Sequence, residues 1–194
     1  MDKHVSLSVN PKVSAWLEFR PAGRVILHTG KVNIGQHITS ALVLIAAEEL
    51  NIDPNQIAVA QTRTGSSPNE NYTVGSQSMQ HSGYAIKKAA ATARNELTVR
   101  AAKFFSVSVE QIKIEDGNLF IEKTNQSISY WELVKNSPLE CYVDETVDVK
   151  NHALHQLQGK HHIARGMWDI VTGKYEFIQD FKLPNICLLY TSPS

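Results

Sequence analysis

The chain's 194 residues, 42% hydrophobic and 20% charged, suffice for one ordinary domain, or for one domain and part of another, and exclude global disorder. Lysine plus arginine and aspartate plus glutamate both number 19; the resulting zero formal charge argues against a nucleic-acid binder and against an acidic tail seeking a basic partner. Cys141 and Cys187, the two cysteines, are too few and too far apart for a disulfide framework or for an iron–sulfur cluster built from this chain alone.

Residues 1–14 read as an irregular arm. Ala15-Trp16-Leu17-Glu18-Phe19 and Arg24-Val25-Ile26-Leu27-His28-Thr29 read as strands joined by the turn Pro21-Ala22-Gly23. Gly30-Lys31-Val32-Asn33-Ile34-Gly35-Gln36-His37-Ile38 is a glycine-bearing turn running into an apolar helix that starts near Gln36 or His37 and reaches about Leu50. Ile38, Leu42, Ile45, Ala46 and Glu49 share one face, while Leu44 and Ala47 lie elsewhere, so apolar residues cover most of the circumference and the helix is expected to be buried. Asn51-Ile52-Asp53-Pro54 ends it, because proline cannot continue the hydrogen-bond ladder.

Ile57-Ala58-Val59-Ala60-Gln61-Thr62 is the next strand, and strand, helix, strand in this order predicts an α/β or α+β layer. The loop from Arg63 to Gly75 has no apolar periodicity, and a loop of that length inside a compact domain is usually functional. Tyr72-Thr73-Val74-Gly75-Ser76-Gln77-Ser78 then leads into an alanine-rich helix from Tyr84 to Phe105, with Ser76 or Ser78 as the expected cap. Ile112–Glu115 and Asn118–Glu122 form a hairpin about Asp116-Gly117. Ser127–Ser129 adds a short strand, and Tyr130 to Val134 a helical turn. Residues 136–160 are polar and read as a linker, with a boundary near Lys150.

Two turns about forty residues apart thus place glycine and hydrogen-bonding side chains at helix N-termini, where unpaired N–H groups and the positive dipole end favour anions. The pair could clamp a phosphate-bearing ligand from two sides. The plainer readings are a helix entry eased by Gly35, and an N-cap at Thr73–Ser78 that satisfies its own amides. His152, His155, His161 and His162 lack the converging ligands a zinc site needs and read as solvated loop residues, and Trp16, Trp131 and Trp168 read as packing residues.

The series Thr-Gly-Lys-Val-x-Ile-Gly-Gln-x-Ile, Ile-Ala-Ala-Glu-Glu-Leu and Asn-Glu-x-Tyr-Thr-x-Gly-Ser-Gln-Ser resembles the large, molybdopterin-binding subunits of the xanthine dehydrogenase and aldehyde oxidase superfamily of molybdenum hydroxylases. The pattern is similar to that of bacterial members such as isoquinoline 1-oxidoreductase and nicotinate dehydrogenase, and the likeness runs from about Asn10 to Asn185. The resemblance implies a mixed α/β domain segment, with two helices on a mixed sheet, over residues 1–150, and the start of an α/β hammerhead-like unit over residues 151–185. Residues 186–194 depart abruptly from the family pattern and read as a non-native tail, so the chain is expected to be an N-terminal fragment.

By the same resemblance, Gly35, Gln36 and His37 would contact the pyranopterin, and Thr73, Gly75, Ser76, Gln77 and Ser78 would hold the cofactor phosphate. His37 is a departure, because the family has a second glycine there. The implied cofactor is molybdenum–molybdopterin, with the cytosine dinucleotide form left open by the resemblance. The implied reaction is hydroxylation of an N-heterocycle or aldehyde with water as the oxygen source, and the implied partner is an iron–sulfur small subunit carrying 2Fe–2S clusters. The family's general base, a glutamate near its C-terminal end, has no counterpart here, so this chain alone is expected to be inactive and Glu48, Glu49 and Glu70 are not assigned that role. No apolar run approaches transmembrane length and Met1–Val5 carries no export pattern. The expected location is the cytoplasm, with the periplasm as the alternative. The competing functional readings are a non-catalytic anion- or nucleotide-binding module and a subunit-interaction module.

Overall fold

The computed structural model describes residues 5–177 and 180–185; residues 186–194, the expected non-native tail, lie outside the described residues. Two compact units divide the chain, the first through His161 and the second from His162.

In the first unit, β1 (Leu17–Arg20) and β2 (Arg24–Leu27) form an antiparallel pair with Leu17 opposite Leu27. The turn between them bends through Ala22 and Gly23, both left-handed. The chain then crosses over through α2 (Ile38–Leu50) and returns as β3 (Ile57–Val59), parallel to β2 with Val25 opposite Ile57. A parallel pair requires such a crossover. The mixed sheet expected from the sequence is therefore present, as is the α/β class. The strands are shorter than expected: Val13–Ala15 is a 3-10 turn, and the chain leaves the sheet after Leu27 and Val59.

The helix α3 (Tyr84–Phe105) packs against α2. Its Ala85, Ala89, Ala90, Ala93 and Ala101 are buried, and small side chains let the two helices approach closely around Leu42, Ala46 and Leu50. Trp16, Leu17, Val25, Leu27, Ile57, Ile86 and Leu97 complete this core. Each fully buried leucine or isoleucine contributes about 1.5–3 kcal/mol.

A second sheet, wholly antiparallel, joins β4 (Ile112–Glu115), β5 (Asn118–Ile121) and β6 (Gln126–Ser129). Asp116 and Gly117 make its two-residue turn, both with positive φ, as the right-handed twist of the strands demands. Gly117 is also sterically required, because a Cβ there would stand 2.8 Å from the Trp131 ring. The short helix α4 (Tyr130–Val134) follows, opened by a capping box between Ser129 and Glu132. The Tyr130 hydroxyl, buried, donates to the carbonyl of Leu50 at 2.9 Å and so ties this sheet to the end of α2; burial raises its pKa.

Two segments differ from expectation. The arm contains α1 (Val5–Val9), and the Asn10 side chain exchanges hydrogen bonds with the backbone of Asn69 at 3.1 and 3.3 Å, which draws the arm to the long loop. The polar stretch read as a linker is a strap bound along α2 and α3. Lys88 Nζ donates to the carbonyls of Glu145 and Val147, and Arg94 donates to those of Glu49 and Asp148. Periodicity gives no warning of this, because the strap's partners are helix side chains rather than its own backbone.

The second unit contains, among its described residues, the short helix α5 (Met167–Val171), entered through left-handed Gly166. The Asp169 carbonyl accepts from the amides of Lys174 and Tyr175, and Tyr175 and Phe177 lie with ring centroids 4.7 Å apart.

Candidate functional site

The crossover from β2 into α2 carries the first glycine turn to the mouth of the mixed sheet. Gln36 folds back on this turn: its amide nitrogen donates to the Val32 carbonyl at 3.0 Å and its Oε1 accepts from the Ile34 amide at 2.6 Å. Asn33 closes it from the other side, with Oδ1 accepting from Thr39 N and Nδ2 donating to Thr39 Oγ1. Gly35 takes φ +99°, and a Cβ at that position would meet nothing within 4 Å, so the backbone there borders open space. His37 takes φ +54° and precedes α2 without a side-chain cap. Among the described residues, the backbone N–H groups of Gly35, Gln36 and His37 find no protein acceptor.

The second turn follows the long loop. Thr73 is partly buried, Gly75 and Ser76 both take left-handed φ of +62° and +56°, and Gln77 precedes a π-helical turn, Ser78–Gly83, that runs on into α3. The expected serine cap is not formed: neither Ser76 nor Ser78 caps the helix, because the wide turn carries the chain continuously into α3. Wide turns of this kind recur at functional sites.

The two turns touch. The Val32 amide donates to the Thr73 hydroxyl at 3.1 Å, and the Lys31 ammonium donates to the carbonyls of Glu70 and Tyr72 at 2.6 and 2.8 Å. Among the described residues no hydrogen bond runs from Gly35, Gln36 or His37 to Gly75, Ser76, Gln77 or Ser78; the joint lies one step back in each turn.

That joint contains residues the sequence reading missed. Lys31 and Glu70 are 1% and 5% exposed, although they sit in otherwise solvated loops. Glu70 Oε2 accepts from the Thr29 hydroxyl at 2.7 Å and the Gly30 amide at 2.8 Å, and its Oε1 accepts from Ser82. Gly30 is there because the backbones nearly touch: a Cβ would stand 2.2 Å from the Pro68 carbonyl oxygen. Both charged residues lie inside the motifs quoted above. Charged loop residues are ordinarily solvated, however, and only the three-dimensional joint shows these to be interior.

At the far end of α2, Glu48 and Glu49 are buried and face the strap. Glu48 accepts from Lys150 Nζ at 2.7 Å and from the successive amides of Gln156, Leu157 and Gln158. Burial works to raise its pKa, but the Lys150 ammonium and those three amides outweigh it and bring the carboxyl from 4.5 down to about 2. Glu49 in turn accepts from the Lys150 amide, so both carboxylates hold the strap. His155 likewise contacts Gln158 and the Lys150 carbonyl. Among the described residues no three histidine, cysteine or carboxylate side chains gather as a metal site, and no helix is long and apolar enough to cross a membrane.

Residues 3–177 match the model of a family described as the molybdopterin cofactor-binding domain. The chain is 30% identical over 164 residues to a subunit of nicotinate dehydrogenase from Pseudomonas putida, a match that covers 84% of this chain and 14% of that protein. It is also 30% identical over 117 residues to the gamma subunit of the 6-hydroxypseudooxynicotine dehydrogenase complex of Paenarthrobacter nicotinovorans, covering 60% of this chain and 15% of that protein. Among solved structures it is similar to the Cu,Mo-CO dehydrogenase in its carbon monoxide reduced state, with a TM-score of 0.55 and 25% identity over 63% of this chain and 16% of that one. Quinoline 2-oxidoreductase from Pseudomonas putida 86 shares the fold, with a TM-score of 0.51 and 22% identity over 61% of this chain and 15% of its own. The chain thus spans about one seventh of the length of the curated relatives it matches.

Proposed function

The chain belongs to the molybdopterin cofactor-binding domain family, and from that premise we propose that its two joined turns hold the molybdenum cofactor within a larger oxidoreductase subunit. The observation that carries the proposal is the Val32–Thr73 contact, which sets two glycine-bearing helix entries side by side with backbone amides still available. The donor set fits an anionic, hydrogen-bonding group. Gly35 leaves room for close approach, Gly75 and Ser76 turn the second loop through left-handed backbone, and amides at a helix start favour phosphate.

In this reading, Gly35, Gln36 and His37 serve the pterin, and Thr73, Gly75, Ser76, Gln77 and Ser78 serve the phosphate. Gln36 acts chiefly by holding the Val32–Ile34 turn in shape, since both ends of its amide are already bonded within that turn. When bound, the cofactor supplies the redox chemistry; these residues fix its position and orientation. The whole subunit would oxidise an N-heterocycle or aldehyde with water as oxygen source and pass electrons to an iron–sulfur partner. Both curated relatives are named as subunits of dehydrogenases, which supports a multi-subunit setting.

The test uses the full-length subunit in its complex, with molybdenum measured by mass spectrometry and pterin by fluorescence of its oxidised form. Gln36→Ala and Ser76→Ala are each expected to lower cofactor occupancy. Unchanged molybdenum in both variants overturns the assignment, and phosphate binding without molybdenum or pterin would favour a plain anion-binding module.

A further inference from the structure

Glu70 is the one buried carboxylate at the junction of the two turns, and its neighbours Asn69 and Asn71 are exposed. A buried carboxylate is held only when its oxygens are satisfied. Here the satisfying groups come from both turns: Thr29 and Gly30 from the crossover side, Ser82 from the π-helical side. Ser82 is fully buried and reaches Glu70 from within the wide turn that opens α3.

Lys31 is held at the same joint without a direct ion pair. Among the described residues no carboxylate oxygen lies within ion-pair distance of its ammonium, which donates instead to the Glu70 and Tyr72 carbonyls. The Thr29 hydroxyl links the two residues, donating to the Glu70 carboxylate and accepting from the Lys31 backbone amide at 3.1 Å. Displacing the Glu70 side chain would therefore remove the carboxylate's bonds to both turns at once.

Building on the cofactor reading above, we propose that Glu70 is a positioning residue for the molybdenum cofactor: its carboxylate fixes the Gly30–His37 turn against the Thr73–Gly83 turn. Glu70 touches the two turns and acts through them; no contact of its own with the cofactor is required.

The experiment compares Glu70→Gln and Ser82→Ala with Tyr130→Phe in the full-length subunit within its complex. Tyr130→Phe removes a buried hydrogen bond at the C-terminal end of α2, away from the two turns, and serves as a stability control. Amide hydrogen exchange is followed in peptides spanning 29–38 and 70–83, together with molybdenum content and thermal midpoint. Glu70→Gln is expected to speed exchange about tenfold in both peptides together, the scale of losing one charge-assisted hydrogen bond, and to lower molybdenum content more than the control does at an equal thermal shift. Ser82→Ala is expected to act in the same direction with smaller effect, and it keeps the test available should Glu70→Gln fail to fold.

Faster exchange confined to residues 70–83 overturns the coupling. Molybdenum loss that merely tracks the thermal midpoint in all three variants overturns the positioning role. If Gln36→Ala and Ser76→Ala lose molybdenum while Glu70→Gln does not, this inference fails and the cofactor reading stands. If none of them loses molybdenum, the cofactor reading itself has failed.

Discussion

Glu48 and Lys150 meet at 2.7 Å across 102 residues of sequence, one of the contacts that fasten the strap between Glu145 and Gln158 to α2. The same carboxylate receives three consecutive backbone amides of the strap. Glu48 thus gathers the last part of a segment whose earlier part is held by Lys88 and Arg94.

Glu48→Gln is expected to destabilise the first unit by roughly 3 kcal/mol, the scale for breaking a buried pair by removing one partner. Faster amide exchange at Gln156–Gln158 is the direct readout, and unchanged exchange there would contradict the role given to Glu48. The pH dependence follows from the lowered carboxyl. Because its pKa in the folded chain is about 2 rather than 4.5, its contribution is fully present above about 4.5 and is lost as pH falls towards 2. Exchange at these amides should accelerate over that acid range in the parent and lose this step in the variant.

Gly30→Ala would place a Cβ 2.2 Å from the Pro68 carbonyl oxygen. The obstacle is backbone, so the loop itself must shift, at about 1–3 kcal/mol for overpacking. Thermal denaturation should show a lower midpoint, and exchange should rise first in residues 68–73. A variant as stable as the parent would mean that the loop can move aside freely.

Tyr130→Phe leaves the Leu50 carbonyl without its phenolic donor. The expected loss is about 1–2 kcal/mol, the scale for an unsatisfied buried acceptor. Denaturant midpoints would measure it. Its effect should remain near the end of α2, and molybdenum content should fall no further than the change in stability explains.

Much of the architecture is legible in the chain because the local signals agree. Left-handed Asn51 ends α2 within the Asn51-Ile52-Asp53-Pro54 stretch, Asp116-Gly117 turns the second sheet, and the alanines of Tyr84–Phe105 support a helix with the bounds observed. The relation between the turns is legible only as an expectation, since nothing local states that Val32 meets Thr73. What stays hidden are the tertiary polar contacts. Lys31, Glu48, Glu49 and Glu70 carry the signature of solvated residues, and only their partners, dozens of positions away, draw them inside. The serine cap misleads for a related reason: a π-helical turn has no compositional mark and competes with ordinary capping.

The wide turn at Ser78–Gly83 also limits which length changes the protein can tolerate. A π turn holds one more residue than the α-helix would at the same place, and that extra residue sets the phase at which Ser82 leaves the helix axis. Deleting one residue between Ser78 and Ser82 would return the segment to ordinary helical phase and swing the residue facing Glu70 by about 100°. The exposed stretch around Gly65, where a Cβ would meet nothing within 4 Å, has no such phase to keep. Insertions and deletions should therefore survive in the outer part of the long loop and be eliminated within the six residues that follow Gln77.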